Sequence, residues 1–507
     1  MRTIDARPAR QRKGPQVPQP ASERARLALA LAVGKAAGTA AQALRLGGGT
    51  SVSGAVARHI DPEILQKVAT ASDARKVVVT GSNGKTTTCR MIAALGGVSG
   101  LRVLQNRAGS NLLQGVISAA VRGTDLQGRL DAQLLLLEVD EGWVGRVNSA
   151  VQPDVFVITN IFRDQLDRFG ELYSMARALE AAIETLPASS TVVLNGDDPL
   201  VASLAPDAPA RRLYFGIQGG VSEFPDPDAL AGQTPEHSAD TIRCVQCQHP
   251  LTYKAVHLSH LGEYWCPECG AERPRLDIAV TTAFASAQGQ GQGFEITVDT
   301  PAGTFPLQVP LPGVHNVYNA AAALACVLPM PGPPRPDEAR RAFAGLRPAF
   351  GRLETIRADG REVILAFVKN PTSYNTSLRT VLQHPVLRDT ALRNPPRMHV
   401  LAAHSNTVVD GQDFAWLWDV DLEQLVPRLA SLTISGTRAE EVALRFKYAG
   451  ADPAAMRVVP DRAAALRTAL AATPRGESLH IFAGYTPMRE LRGVMQRNAW
   501  VPPFWED

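Results

Sequence analysis

Val77-Val78-Val79-Thr80-Gly81-Ser82-Asn83-Gly84-Lys85-Thr86-Thr87-Thr88 (VVVTGSNGKTTT) runs three β-branched residues into a glycine-framed turn that ends in Gly-Lys-Thr. The next ten residues, CRMIAALGGV, have helical apolar spacing. A bound phosphate needs converging backbone N–H groups, a helix N-terminus behind them, a lysine for the outer phosphates and a hydroxyl for Mg²⁺. Strand, turn, Lys85, Thr86 and helix supply these parts in order, with Gly81, Asn83, Gly84 and Thr87 completing the cradle. The general P-loop pattern places a glycine five positions before Gly84, where this chain has Val79, so the match is to a variant. Lys85 is one of eight lysines in an arginine-rich chain, which argues against an incidental lysine in a plain turn.

Working outward, apolar strands alternate with helical stretches: VVVTG, LRVLQN, LLLLEVDE, PDVFVITN and STVVLNGDDP. This pattern predicts an α/β fold with a doubly wound, mainly parallel sheet, whose ligands gather at the carboxyl ends of the strands. LLLLEVDE delivers Glu138, Asp140 and Glu141 there, and VFVITN delivers Asn160, with Asp164 and Asp167 beyond it. Glu138 is the first choice for a Mg²⁺ ligand beside Thr86, although strand-end carboxylates also serve as helix caps.

Four of the six cysteines are spaced Cys244-x2-Cys247, eighteen residues, Cys266-x2-Cys269, the two-knuckle pattern of a structural zinc ribbon. His249, His257 and His260 lie among them, but four thiolates already close a tetrahedral shell. Cys89 and Cys326 fall in apolar helical runs and read as core residues.

At 507 residues the chain predicts two or three domains, and its net charge of +3 gives no reason to expect a nucleic-acid partner. No apolar run is long enough to span a bilayer and no secretory cleavage signal follows the charged, proline-rich opening, so the expected location is cytoplasmic. Residues 1–24 read as a disordered tail. From Ala21 to about Leu46 the pattern is helical, either a packing helix or one lying on the inner membrane surface.

Taken in order, TGSNGKTT, Glu138 after its apolar strand, TNIFRDQLDRFGE, NGDDP, GVHNVYNAAAA and GRLE resemble the motifs of the Mur ligase superfamily. That resemblance implies ATP-dependent amide formation through an acyl phosphate. It places Lys85 and Thr86 on the β- and γ-phosphates and Mg²⁺, and sets Asn316, Asp197 and Asp198 near the nucleotide's base and ribose. It also implies a central ATP-binding domain over 25–335 carrying the ribbon insertion over 240–275, then a Rossmann-like domain over 336–507.

There are departures. The roughly seventy residues before the P-loop are too few for a UDP-sugar domain, and Gln165 stands where the superfamily has a metal-binding histidine. No lysine occurs between Arg146 and Tyr253, and the Asp-x-x-His-Asn-Pro pattern appears as Ala366-Phe-Val-Lys369-Asn370-Pro371.

The inserted ribbon together with NPTSYNTSL, DGQDFAWLWDVDLE, SGTRAEEVALRFKYAG and YTPMRELR is similar to the MurT branch, the ligase subunits of lipid II isoglutaminyl synthase. The resemblance implies amidation of the α-carboxylate of D-glutamate in the lipid II stem peptide, with ATP, Mg²⁺ and Zn²⁺ as cofactors. Ammonia would come from a separate GatD-type glutamine amidotransferase subunit, since neither Cys89 nor Cys326 sits in a nucleophile turn. The resemblance also implies that the ligase lends an aspartate to that partner's Cys-His pair. Asp413 is the first candidate and Asp419 the second, with Asp410 behind them. A folylpolyglutamate-synthase-like ligase and a nucleotide-switched, nucleic-acid-binding ribbon are the alternatives. The former lacks the ribbon and the tryptophan segment; the latter needs a basic aromatic stripe where this ribbon carries Arg243, Lys254, Glu263 and Glu268.

Overall fold

A computed structural model describes residues 20–43, 51–106, 109–163, 172–218, 221–222, 239–286, 293–347, 351–382, 397–407 and 409–502. Six parallel strands, β1 (Arg75–Thr80), β2 (Val103–Gln105), β3 (Leu134–Glu138), β4 (Val155–Ile158), β5 (Thr191–Asn195) and β6 (Arg211–Ile217), build the heart of the first sheet. After the short β7 (Val221–Ser222), the hairpin β8 (Thr252–Leu258) and β9 (Leu261–Trp265) stands apart as its own two-stranded sheet. The chain then returns as β10 (Ile278–Ser286), parallel to β6, and ends the sheet with antiparallel β11 (Gly293–Thr300) and β12 (Gly303–Val309).

The order β12-β11-β10-β6-β5-β4-β1-β3-β2 puts the P-loop strand between β4 and β3, where crossovers leave in opposite directions. Both faces are covered, which is why the strands read as unbroken apolar runs. Val77, Val79, Leu134 and Leu136 enter one core, lined by the helix Val314–Val327, and Val78, Leu135 and Leu137 enter the other.

The helix Ala21–Ala43 packs on that second core through Leu27, Ala30 and Leu31. A Cβ on Gly34 would come within 2.9 Å of Ala57 Cβ and 3.0 Å of Ser53 O, so the two helices touch backbone to backbone. Leu29 and Val33 are left exposed on its outer side. The helix begins at Ala21, inside the expected tail, and residues 1–19 lie outside the described residues. Among the described residues no helix is long and apolar enough to cross a membrane.

The helix Pro336–Ala344 buries Ala339 and Phe343 in the first core, which carries the central domain past the expected boundary at 335. A second sheet follows: β13 (Arg352–Ala358), β14 (Arg361–Phe367), β15 (Met398–Ala403), β16 (Leu429–Ser435), β17 (Met456–Val458) and β18 (Ser478–Ala483), in the order β13-β14-β18-β15-β16-β17. All its pairings are parallel except the β13–β14 hairpin, and separate cores fill its two faces. The expected Rossmann-like C-terminal α/β domain is present.

Candidate active site

The turn after β1 is shaped by two left-handed glycines, Gly81 at φ +124° and Gly84 at φ +88°. Neither has room for a Cβ, which would overlap Thr159 Oγ1 at Gly81 and Asn319 Oδ1 at Gly84. Glycine is therefore required twice over, by dihedral and by space. The turn is pinned from β4: Asn83 N donates to Asn160 Oδ1 (2.8 Å), while Thr159 Oγ1 and Asn160 Nδ2 donate to Asn83 O (2.7 and 3.1 Å). The side-chain amide of Asn83 is buried with no protein partner for either polar atom, at the edge of a cleft. An orphaned amide beside a backbone cradle that no Cβ could enter fits a polar, phosphate-bearing ligand.

Lys85 and Thr86 open the helix Lys85–Val98, and each meets a carboxylate from the end of β3. Thr86 Oγ1 donates to Glu138 Oε1 at 3.0 Å. Lys85 Nζ donates to Gly81 O at 2.6 Å and to both oxygens of Glu141 at 3.1 and 3.2 Å. Glu138 is held in place by Asn106, which accepts from its N–H and donates to its carbonyl, both at 2.8 Å. Burial pushes the Glu138 carboxyl above its usual range against the opposing pull of Lys85, the Thr86 bond and Arg352. Asp140 is also raised, first by burial and then by Glu141. It caps the short turn Glu141–Trp143 by accepting from Gly142 N, and this turn swings Glu141 back towards Lys85. A hydroxyl and a carboxylate 3.0 Å apart are the hard oxygen donors that Mg²⁺ takes. Thr86 and Glu138 thus fit the role given to them in the sequence, whereas the tie from Glu141 to Lys85 had no signal there.

The cleft, about 850 Å³ with its open mouth included, runs from Asn83, Gly84 and Thr87 to the helix Val314–Val327 and the start of the second domain. Asn316 lines it, donating to Pro312 O (2.7 Å) and accepting from Asn319 Nδ2 (3.0 Å). Asn319, one turn on, also accepts from Thr88 Oγ1 (3.2 Å) and so ties this helix to the P-loop helix. Its position three residues after Asn316 was the readable signal for a second asparagine on that face. Beside them, burial holds His315 down to about 4, so it faces the cleft as a neutral ring. Arg352, from the GRLE stretch, lines the opposite side and brings the second domain's charge to the cleft.

Asp197 and Asp198, expected near the nucleotide's base and ribose, lie behind the cleft wall and not in its lining. Both are fully buried. Asp197 accepts from Arg273 Nη1 (2.9 Å), Ile217 N (2.9 Å) and Tyr318 Oη (2.7 Å), and its carbonyl accepts from Gly262 N (3.0 Å). Asp198 caps the turn Pro199–Ala202, accepts from Ile161 N (2.9 Å), and lies 3.6 Å from His260 Nε2. Instead of facing the cleft, the two aspartates dock the β8–β9 hairpin on the sheet. Asp164, Gln165 and Asp167 lie outside the described residues.

Cys244, Cys247, Cys266 and Cys269 bring their sulfurs within 4.8 Å of one another and are the one such metal-ligating cluster among the described residues. Each knuckle closes through a left-handed residue, Gln248 (φ +63°) in the first and Gly270 (φ +73°) in the second, whose N–H donates to the first cysteine's carbonyl. The amide of Cys269, with help from Glu268, draws the Cys266 thiol down to about 6. Four converging sulfurs, one of them readily ionised, fit Zn²⁺. His260 sits away from them with its ring 4.9 Å from that of Phe162, and His249 is exposed. Cys89 and Cys326 are buried in the core, where burial raises both thiols.

In the second domain Asp413 is part-exposed, and one carboxylate oxygen accepts from Ala415 N (2.9 Å). Asp419 is committed to an ion pair with Arg163 (3.1 Å), which Asp240 also holds. Asp410 is tied to Thr486 N (2.8 Å) and Thr407 Oγ1 (2.6 Å). Of the two tryptophans, Trp416 packs edge-on against Phe414, while Trp418 is half exposed against Tyr448.

Residues 79–266 match the Mur ligase middle domain and residues 367–488 match the MurT ligase C-terminal domain. The chain is 31% identical over 453 residues to the lipid II isoglutaminyl synthase (glutamine-hydrolyzing) subunit MurT of Streptococcus pneumoniae, covering 89% of this chain and 93% of that one. It is 28% identical over 408 residues to its Staphylococcus aureus counterpart, covering 79% and 83%. Among solved structures it resembles a pseudomurein peptide ligase type C from Methanothermus fervidus (TM-score 0.60, 21% identity, 84% and 79% covered). A Mycobacterium tuberculosis folylpolyglutamate synthase shares the same fold (TM-score 0.58, 17% identity, 87% and 93% covered). The four-cysteine insertion, the P-loop cleft and a matched MurT C-terminal domain lead to one conclusion: the chain belongs to the MurT family of Mur ligases.

Proposed function

We propose that this chain is the ATP-consuming subunit of a lipid II isoglutaminyl synthase, amidating the α-carboxylate of D-glutamate in the stem peptide at the cytoplasmic face of the membrane. The observation that carries the reading is the pair of contacts Lys85–Glu141 and Thr86–Glu138 under the glycine turn, in a chain of this family. Asn83, Gly84 and the N–H groups that open the helix at Lys85 would hold the phosphates. Thr86 and Glu138 would hold Mg²⁺, which when bound offsets phosphate charge.

The chain's own part is positioning. Lys85 and Arg352 bring positive charge from two domains towards Glu138, and the γ-phosphoryl group moves from ATP to a carboxylate oxygen, leaving ADP. Ammonia then attacks the acyl carbon, phosphate departs with the C–O bond electrons, and the nitrogen loses a proton to leave the amide. Closure of the second domain on the cleft would exclude water, which would otherwise compete for the acyl phosphate.

Ammonia would come from a GatD-type glutaminase partner. Asp413 is the better partner for its Cys-His pair, because Asp419 already pairs with Arg163, whereas Asp413 accepts only from Ala415 N of its own loop among the described residues and could accept the partner's imidazole N–H. The testing experiment compares ATP hydrolysis and lipid II amidation with glutamine or ammonium, with and without the partner chain. Glutamine-driven amidation that needs both chains supports the reading, and glutamylation of a folate substrate would replace it.

A further inference from the structure

The four-cysteine ribbon is inserted as a wedge, with its turn in the protein core and its cysteine end outward. Leu258 and Leu261, which flank the turn Ser259–His260, are buried in the central core and line the same cleft as Asn83 and Asn316. Cys247 and Cys269, at the other end, are exposed. A ribbon that served only to read another macromolecule would present its hairpin to solvent. This one presents it to the cleft.

The docking is specific. Gly262 N and Arg273 Nη1 both donate to Asp197, and Arg273 Nη1 also donates to Ile217 O at 2.8 Å. Tyr253 Oη ties the turn to the ribbon's entry by donating to His260 O (3.1 Å) and Thr241 O (3.3 Å). The same Asp197 accepts from Tyr318 on the helix that carries Asn316 and Asn319, so hairpin and helix share one buried carboxylate. At the hairpin's root, Cys266 directly follows Trp265, the last residue of β9. Seven residues of β8 reach about 20 Å from that root to the turn.

A nucleoside triphosphate with its phosphates on the P-loop needs an apolar slot for its flat base. Leu258, Leu261, Leu311 and Phe162 supply one in this cleft. We propose that the β8–β9 hairpin is a nucleotide-binding element: its turn forms the base-side wall of the cleft, and zinc at its root, by ordering the hairpin, sets nucleotide affinity and base preference. This rests on the reading that the cleft takes ATP.

The test is titration calorimetry of the zinc-loaded full chain with MgADP and with a non-hydrolysable Mg-ATP analogue and its guanine counterpart. Leu258→Phe, which fills the slot without opening a cavity, and Leu261→Ala should each weaken adenine nucleotide binding about tenfold and narrow the adenine-over-guanine preference. Because coupling between two ligands is reciprocal, the nucleotide should raise zinc affinity, measured by chelator competition, by the factor through which zinc raises nucleotide affinity. Circular dichroism and melting curves identify any variant that fails to fold, in which case Leu258→Phe and the zinc competition decide. Wild-type affinity and base preference in folded Leu258→Phe, or zinc affinity indifferent to nucleotide, overturns the proposal. A wild-type chain that binds no nucleotide overturns the ATP reading itself, a distinguishable result.

Discussion

Lys85 Nζ lies 3.1 Å from Glu141 Oε1, and both side chains are almost completely shielded from solvent. Two roles therefore fall on one lysine. If Lys85 binds phosphate as proposed, its loss should abolish amidation, and as half of a buried ion pair its loss leaves Glu141 without its partner. Lys85→Ala should lower stability by about 3–5 kcal/mol as well as ending turnover. The Lys85→Met, Glu141→Leu pair should regain most of that stability in denaturant unfolding and none of the activity. Full stability in Lys85→Ala would show that the pair contributes nothing to the fold.

Glu138 makes a separate prediction through pH. Burial raises its carboxyl in the folded protein above the ordinary value of 4.5. A folded value above the unfolded one favours folding where the group is protonated, so this contribution is present below about pH 4.5 and is lost as pH rises through the folded value. Glu138→Gln keeps the acceptor for Thr86 and removes the charge. Without divalent cations, the variant should be at least as stable as wild type at neutral pH, and the difference should shrink towards pH 4.5. Magnesium-dependent ATP turnover should fall by two orders of magnitude or more, by analogy with the loss of one charge-stabilising group, roughly 10²–10³ in rate. A variant that loses stability at neutral pH would contradict the assigned burial penalty.

Asp197 is the acceptor shared by three donors, so Asp197→Asn exchanges one lone-pair face for an N–H that meets Arg273, Ile217 N or Tyr318 Oη. The expected loss is about 3 kcal/mol of unfolding free energy, since one buried donor goes unpaired and Arg273 loses its nearer counter-charge, keeping only Glu263 at 3.9 Å. Hydrogen exchange should show added opening in the hairpin β8–β9 and in the helix Val314–Val327, the two elements the carboxylate joins. Added opening confined to one of them would mean that Asp197 does not link the two.

What the sequence made readable was local. A glycine turn fit for phosphate is written within twelve consecutive residues, and a four-cysteine cluster fit for zinc within two short knuckles, so spacing alone makes both legible. The LLLL and VVV runs announced strands covered on both faces. Contacts made at long range were not readable in the same way. Which of Glu138 and Glu141 meets a lysine 56 residues earlier depends on the short turn after β3. NGDDP could not reveal that Arg273, 76 residues on, would pair with Asp197. In the same way Arg352 reaches the cleft only because the second domain folds over it, which no motif spacing encodes.

Asp413 and Asp419 are six residues apart and differ in what they touch. Arg163 fixes Asp419, while Asp413 bonds only its own loop among the contacts described. If Asp413 orients the partner's catalytic histidine, Asp413→Asn keeps the shape and removes the charge that stabilises the imidazolium. Glutamine hydrolysis by the assembled complex should then fall by about 10⁴. ATP-dependent activation should persist, and ammonium at high pH should restore amidation of the glutamate, because that half of the reaction never used Asp413. Lys85→Ala should show no such rescue, since ammonia cannot attack a carboxylate that was never phosphorylated. Asp419→Asn should leave glutaminase activity within a few fold and instead loosen the contact between domains at Arg163. If ammonium fails to rescue Asp413→Asn in a complex that still assembles, the aspartate acts in the ligase cleft and not on the partner.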